Sequence, residues 1–320
     1  MKRTGKWIDG TSPEQPVTEA ARSALRLRLK LVSHYLPLAA WEADDDPEYV
    51  HQLRVATRRA NSALGIFADL LPRRRLRKLK RQLHGVRRAA GEARDLDVLL
   101  ARLTKLADDS PGPGWEELLS DLQARRKLAQ PAIRQVDKKL REGKFRKRIR
   151  ELVARIQVRA AAAQRTPTFV EAARQALTPL VEEFFTAVRG PLEELAAMHQ
   201  CRIHGKKLRY AMEIFSGAFP PEFRAQLYPE IEQVQERLGE INDRATACQE
   251  FSTWLAGNVS DETRALLTGL LASEAAALEA AKQSFLGWRS EERAAGLAAQ
   301  FGQYLGKLRV VPAAPAAAVG

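Results

Sequence analysis

Cysteine is almost absent: only Cys201 and Cys248 occur in 320 residues. Two cysteines so far apart exclude both a disulfide framework and a CxxC metal pair, and the expectation is reduced thiols. No stretch approaches the roughly 18 consecutive apolar residues of a membrane span, and Met1 to Pro16 lacks the apolar segment of a secretion signal. Both absences predict a cytosolic protein with no membrane partner. Strand-like alternation is scarce as well, and Gly and Pro are confined mostly to a few breaks. Acidic charge is in deficit, with 39 Asp and Glu against 52 Lys and Arg, a net charge of +13 that predicts an anionic partner.

At 45% hydrophobic and 28% charged, the chain has the composition of a globular protein. Apolar residues recur at three- and four-residue spacing over long stretches, which predicts an all-α fold. The expected helices are Val17–Trp41, Pro47–Leu71, Arg73–Ala107 with a break near Gly91, Trp115–Arg141 and Phe145–Gln164. A second series comprises Phe169–Val188, Pro191–Ala218, Pro221–Leu255, Asp261–Leu286 and Glu291–Leu308. Residues 1–16 and 309–320, the latter an Ala/Pro tail, read as flexible.

The chain repeats itself. His51–Pro72 aligns without gaps on His199–Pro220, with identity at seven of 22 positions and an offset of 148. That offset also places Gly91-Glu92 on Gly239-Glu240 and Asp95 on Asp243, while Glu19–Leu25 matches Glu171–Leu177 at an offset of 152. Two helical halves follow, residues 17–165 and 166–308, and duplicated halves of this kind commonly pack about a pseudo-twofold axis.

The repeated segment carries the chemistry. Leu53, Ala56, Ala60, Leu64, Phe67 and Leu71 fall on one helix side, and His51, Arg54 and Arg58 on the other. In the repeat, Cys201, His204, Leu208, Met212, Phe215 and Phe219 oppose His199, Arg202, Lys206 and Arg209. Solvation alone gives no reason for His-x2-basic-x3-basic to recur. The next helix of the first half adds a stripe of Arg73, Arg77, Lys80, His84, Arg87 and Arg94, whereas the matching stripe of the second half reads Tyr228, Glu232, Gln235, Gly239 and Asn242. Asp95 is placed to orient a neighbouring Arg. By halves, residues 1–165 carry +17 and residues 166–320 carry −4. Arg, Lys and His together suit a ligand rich in phosphate oxygens. The basic faces lack the interleaved aromatics that stack nucleobases, so an all-phosphate polyanion fits better than nucleic acid.

These residues resemble the CHAD domain, the conserved histidine α-helical domain. The likeness rests on His51-Gln52-Leu53-Arg54 leading to Arg58-Arg59, on Gly91-Glu92-Ala93-Arg94-Asp95, on His199-Gln200-Cys201-Arg202 leading to Lys206-Lys207-Leu208-Arg209, and on Leu238-Gly239-Glu240-Ile241-Asn242-Asp243. It implies two duplicated helical bundles related by pseudo-twofold symmetry around a basic central groove or pore. It also implies a stand-alone module that binds inorganic polyphosphate, with no cofactor and no catalysis, and that is drawn to polyphosphate granules. Carried over, the contacts are His51, Arg54, Arg58, His199, Arg202, Lys206 and Arg209, to which the stripe adds Arg77, Lys80, Arg87 and Arg94. Asn61 departs from the family pattern, for a basic residue is frequent there.

Nucleic acid as a general polyanion is the rival reading, and a metal-dependent phosphohydrolase a weaker one. Cations surround His51 and His199 along the helix and would repel a metal ion, so no metal site is expected. His204 and His34 read as core histidines, Cys201 and Met212 as packing, Asp44-Asp45-Asp46 as a helix cap, and Trp41, Trp115, Trp254 and Trp288 as packing anchors at helix ends.

Overall fold

The computed structural model describes residues 5–157 and 165–309, which form helices and no sheet. In chain order the helices are α1 (Val17–Trp41), α2 (Glu48–Ile66), α3 (Arg73–Ala89), α4 (Gly91–Asp109), α5 (Trp115–Glu142), α6 (Phe145–Ala154), α7 (Phe169–Arg189), α8 (Leu195–Phe215), α9 (Tyr228–Leu255), α10 (Asp261–Trp288) and α11 (Glu291–Leu305). Ends agree with the expected spans to within a few residues in most cases. Three differ: α6 stops at Ala154, α8 begins at Leu195 because Pro191 opens an irregular turn, and a π-helical turn, Phe223–Leu227, precedes α9. The far end of the helix expected to run to Gln164, and the tail from Val311, lie outside the described residues.

The chain divides into two compact units. Of the described residues, the first comprises 5–6, 16–157, 165–166 and 254–269. Its core is mainly aliphatic: Leu25, Leu29, Val32 and Leu36 of α1 and Val50, Leu53, Ala60 and Leu64 of α2 are all buried. Each fully buried Leu or Val contributes about 1.5–3 kcal/mol. Helix α3 buries Leu76, Leu79, Leu83 and Val86 and turns its remaining sides outward. Segment 254–269 lies by sequence in the span 166–308 but packs with this unit. There the Ser260 and Thr263 hydroxyls donate to the Glu117 carboxylate at the start of α5, and Arg125 lies 5.5 Å from the Trp254 ring centre.

The second unit contains Trp7–Gln15, Pro167–Thr253 and, of the described residues beyond, 270–309. Thr168 starts α7 with a capping box, its hydroxyl accepting from Glu171 N at 3.4 Å while Thr168 N donates to Glu171 Oε2 at 2.8 Å. This core is aromatic. Phe169 lies 5.4 Å from Phe215, Phe185 lies 5.9 Å from Phe301, and Phe223 lies 5.3 Å from Tyr304, each as ring-centre separations.

Where the sequence predicts a flexible N-terminal tail, the described part of it is docked. Ile8 is 4% exposed, and Arg28 of α1, itself 1% exposed, donates to the Gly5 carbonyl and to Lys6 O at 3.0 Å. A buried guanidinium needs acceptors, and the segment supplies them. No helix among the described residues is long and apolar enough to cross a membrane.

Candidate functional site

Helix α2 starts after Asp46, whose Oδ1 accepts from Glu48 N at 2.9 Å, so the acidic run does cap this helix. Helical spacing then sets His51, Arg54 and Arg58 along one half-buried side, opposite Leu53, Ala56 and Ala60. Arg54 is the anchor of this face. Its Nη1 donates to the Ala90 carbonyl at 3.4 Å, where α3 ends, and its Nη2 lies 3.3 Å from Asp95 Oδ1 on α4. Gly91 makes room: a Cβ there would stand 3.3 Å from Arg54 Nη1, tighter than ordinary contact. The break between α3 and α4 thus seats one guanidinium and turns Arg94 back toward α2.

Electrostatics place the other members nearby. The His51 imidazole is held below its ordinary pKa, first by burial and then by the Arg94, Arg58 and Arg54 charges, with Glu48 opposing. The Arg54 charge is likewise made costly by burial and by Arg58, Arg87 and Arg94, with Asp95 opposing. His51, Arg54, Arg58, Arg87 and Arg94 therefore lie within each other's fields, on three successive helices. Arg77 and Lys80 continue the face along α3, Arg77 exposed and Lys80 half-buried. Among the described residues no carboxylate lies within ion-pair distance of Arg58, Arg77, Lys80, Arg87 or Arg94. Repulsion of this kind destabilises the ligand-free state and is relieved by an anion.

The second unit repeats the plan with different chemistry. Arg202 of α8 lies 4.0 Å from Asp243 of α9, the same 41-residue step that separates Arg54 from Asp95. His199 Nδ1, however, meets Asn242 Oδ1 at 2.9 Å, where the first unit has Arg94 at the aligned position. Arg209 is enclosed. Its Nη1 lies 3.5 Å from the Tyr228 hydroxyl and 3.4 Å from Glu232 Oε1, and Tyr228 donates to the fully buried Glu213 at 3.0 Å. Burial alone would weaken the Arg209 charge, but Tyr228, Tyr210, Glu213 and Glu232 together raise its pKa. Between these groups Gln235, 8% exposed, packs so closely on α8 that any Cβ at Gly205 would collide with its amide. This face is locally neutralised, whereas that of the first unit is not.

His204 sits at the edge of the apolar stripe and is not in the core: it is partly exposed, with Nδ1 3.1 Å from Glu183 Oε2. His34 is exposed, edge-on to Tyr35 at 4.9 Å. Cys201 and Met212 are packed, and burial pushes the Cys201 thiol up to about 12, opposed by Arg289. Of the tryptophans, Trp115 is buried, while Trp41 is 52% exposed and donates to Asp137 Oδ2 at 2.9 Å. Among the described residues no three His, Cys, Asp or Glu side chains gather where a metal ion could sit. Asn242 and Glu232 are partners that periodicity alone records only as members of a stripe. The aligned positions, Asn242 opposite Arg94 and Glu232 opposite His84, were the available signal.

A family model described as CHAD domain matches residues 23–252. The crystal structure of the CHAD domain from the plant Ricinus communis resembles this chain with a TM-score of 0.62 at 24% identity, over 95% of this chain and 96% of that one. PptA from Streptomyces chartreusis resembles it with a TM-score of 0.60 at 18% identity, over 86% of this chain and 100% of that one. At these identities the two structures share the fold. No curated protein sequence matches the chain.

Proposed function

Because the chain belongs to the CHAD domain family, we propose that it is a module that binds inorganic polyphosphate on its basic helix faces without making or breaking a bond. One observation carries this reading. Arg58, Arg87 and Arg94 act on His51 and Arg54, helical spacing sets Arg77 and Lys80 on the same side of α3 as Arg87, and among the described residues the carboxylate that pairs with Arg54 there is Asp95. Such a face lacks the counter-charge that a merely solvated, self-neutralising helix surface carries.

The chemistry is that of a clamp. Guanidiniums offer two parallel donors to phosphate oxygens, and Asp95 together with the Ala90 carbonyl holds Arg54 in place before ligand arrives, lowering the ordering cost. In the second unit Arg202, Arg209, His199 and Lys206 contribute more weakly, because Asp243, Glu232 and Asn242 already occupy several of their donors. Association with polyphosphate granules is the cellular consequence.

The test is a calorimetric titration of long-chain polyphosphate into the wild type, into Arg77→Gln/Lys80→Gln/Arg87→Gln, and into Lys138→Gln/Lys139→Gln/Lys147→Gln. The second triple removes the same formal charge from exposed positions elsewhere on the first unit. The proposal expects a large loss of affinity in the first triple and a small one in the second. Equal losses would reduce the face to a contribution of net charge, and no binding by the wild type would overturn the proposal.

A further inference from the structure

The N-terminal segment of the second unit reaches a residue of the binding face by a short chain of contacts. Trp7 lies edge-on to Tyr228, with ring centres 4.7 Å apart at 64°, and on its own face it receives the Arg224 guanidinium 3.8 Å from the ring centre. The segment is fixed behind this point as well. Ile8 is buried, and the Pro13 and Gln15 carbonyls accept from Val170 N at 3.0 Å and Phe169 N at 2.8 Å. Those amides open α7 and have no partner within the helix, so the segment satisfies groups that would otherwise be orphaned. Tyr228 opens α9 directly after a π-helical turn, a rare geometry often found beside functional residues.

Beyond Tyr228 stands Arg209. The phenol has one proton and gives it to Glu213 Oε1 at 3.0 Å, so toward Arg209 Nη1, at 3.5 Å, its oxygen is the acceptor. The direction of that acceptor depends on the tilt of the ring, and the ring is held by Trp7 on one side. From this geometry we infer that Trp7 is a positioning residue for Arg209: the docked indole fixes Tyr228, and Tyr228 aims the guanidinium. Glu232, 3.4 Å from the same nitrogen, is the second support and is independent of Trp7. Nothing in the sequence signals this, because Trp7 stands in a short segment without periodicity. The consequence for ligand rests on the polyphosphate reading, whereas the positioning itself does not.

Two readouts separate these levels, both made on the full chain. The first is the rate at which Arg209 is modified by phenylglyoxal, followed by peptide mass spectrometry without ligand. Trp7→Ala should raise that rate several-fold, Trp7→Phe should restore a rate close to wild type, and Tyr228→Phe, which keeps the ring and deletes the acceptor, should resemble Trp7→Ala. If Trp7→Ala does not fold, Trp7→Leu retains apolar bulk and gives the same comparison. An unchanged Arg209 rate in the folded Trp7 variant overturns the inference whether or not polyphosphate binds. The second readout is polyphosphate affinity. Trp7→Ala should lose part of what Arg209→Ala loses, and the double variant should lose less than the two combined. A raised modification rate with unchanged affinity would leave the positioning intact and remove Arg209 from the polyphosphate contacts.

Discussion

His51 and Arg54 show how a single residue can be both costly and useful. The imidazole pKa is held below its ordinary value by burial and by Arg94, Arg58 and Arg54, with Glu48 opposing. Since its folded pKa lies below that of the unfolded chain, about 6.5, its contribution to stability is full above that value and is lost as pH falls toward the folded pKa. A bound polyanion reverses the field and favours imidazolium, so binding takes up a proton. Affinity for polyphosphate should therefore rise as pH is lowered from 8 to 6, and His51→Gln should flatten that rise; titrations at matched ionic strength would read it. Replacing Arg54 and Arg58 together by Ala should cost about 1.5–3 kcal/mol for each charged hydrogen bond lost, measured as Kd by calorimetry. Arg28 predicts the opposite balance. Its bonds to the Gly5 and Lys6 carbonyls are structural, so Arg28→Ala should lower Tm in chemical or thermal unfolding and leave Kd nearly unchanged.

At the scale of helices, much was legible and the reasons are specific. The amphipathic spacing of α3, with Leu76, Leu79, Leu83 and Val86 buried and Arg77, Lys80 and Arg87 turned outward, is written in the order of residues. So is the break at Gly91, and the 148-residue offset that carries Arg54–Asp95 onto Arg202–Asp243. What could not be read depends on partners distant in sequence. Residues 7–15 have no helical period, and their docking is visible only once Tyr228 and the first turn of α7 are in place. Segment 254–269 joins the first unit because Ser260 and Thr263 find Glu117, a pairing no local pattern encodes. His204 falls at the rim of a stripe, where periodicity cannot tell core from edge. The asymmetry between α3 and α9 gives a prediction of its own. Neutralising Arg77, Lys80 and Arg87 should flatten the dependence of log K on log salt, roughly 0.7–0.9 per phosphate contact by the counterion arithmetic of nucleic acids. Changing Glu232 to Gln should leave that slope almost unaltered. The α3 variant should also melt at a higher temperature without ligand, through relief of repulsion.

For the molecule as a whole, the charge of +17 over residues 1–165 against −4 over residues 166–320 concentrates the attracting field in the first half of the sequence. The second unit balances its cations locally, through Asp243, Glu232 and Glu213, and builds its core from phenylalanines packed edge-on or tilted against one another. One fold family can thus carry two copies of a motif and load only one of them with unpaired charge. The central claim is that this field serves an all-phosphate chain, with no provision for bases. It is tested most directly by a competition titration at fixed ionic strength, with labelled long-chain polyphosphate displaced by unlabelled polyphosphate, single-stranded RNA or duplex DNA at equal phosphate concentration. Displacement by polyphosphate well below the concentration at which either nucleic acid competes is the predicted result. Equal displacement by RNA or DNA would contradict it and leave a surface that selects for charge alone.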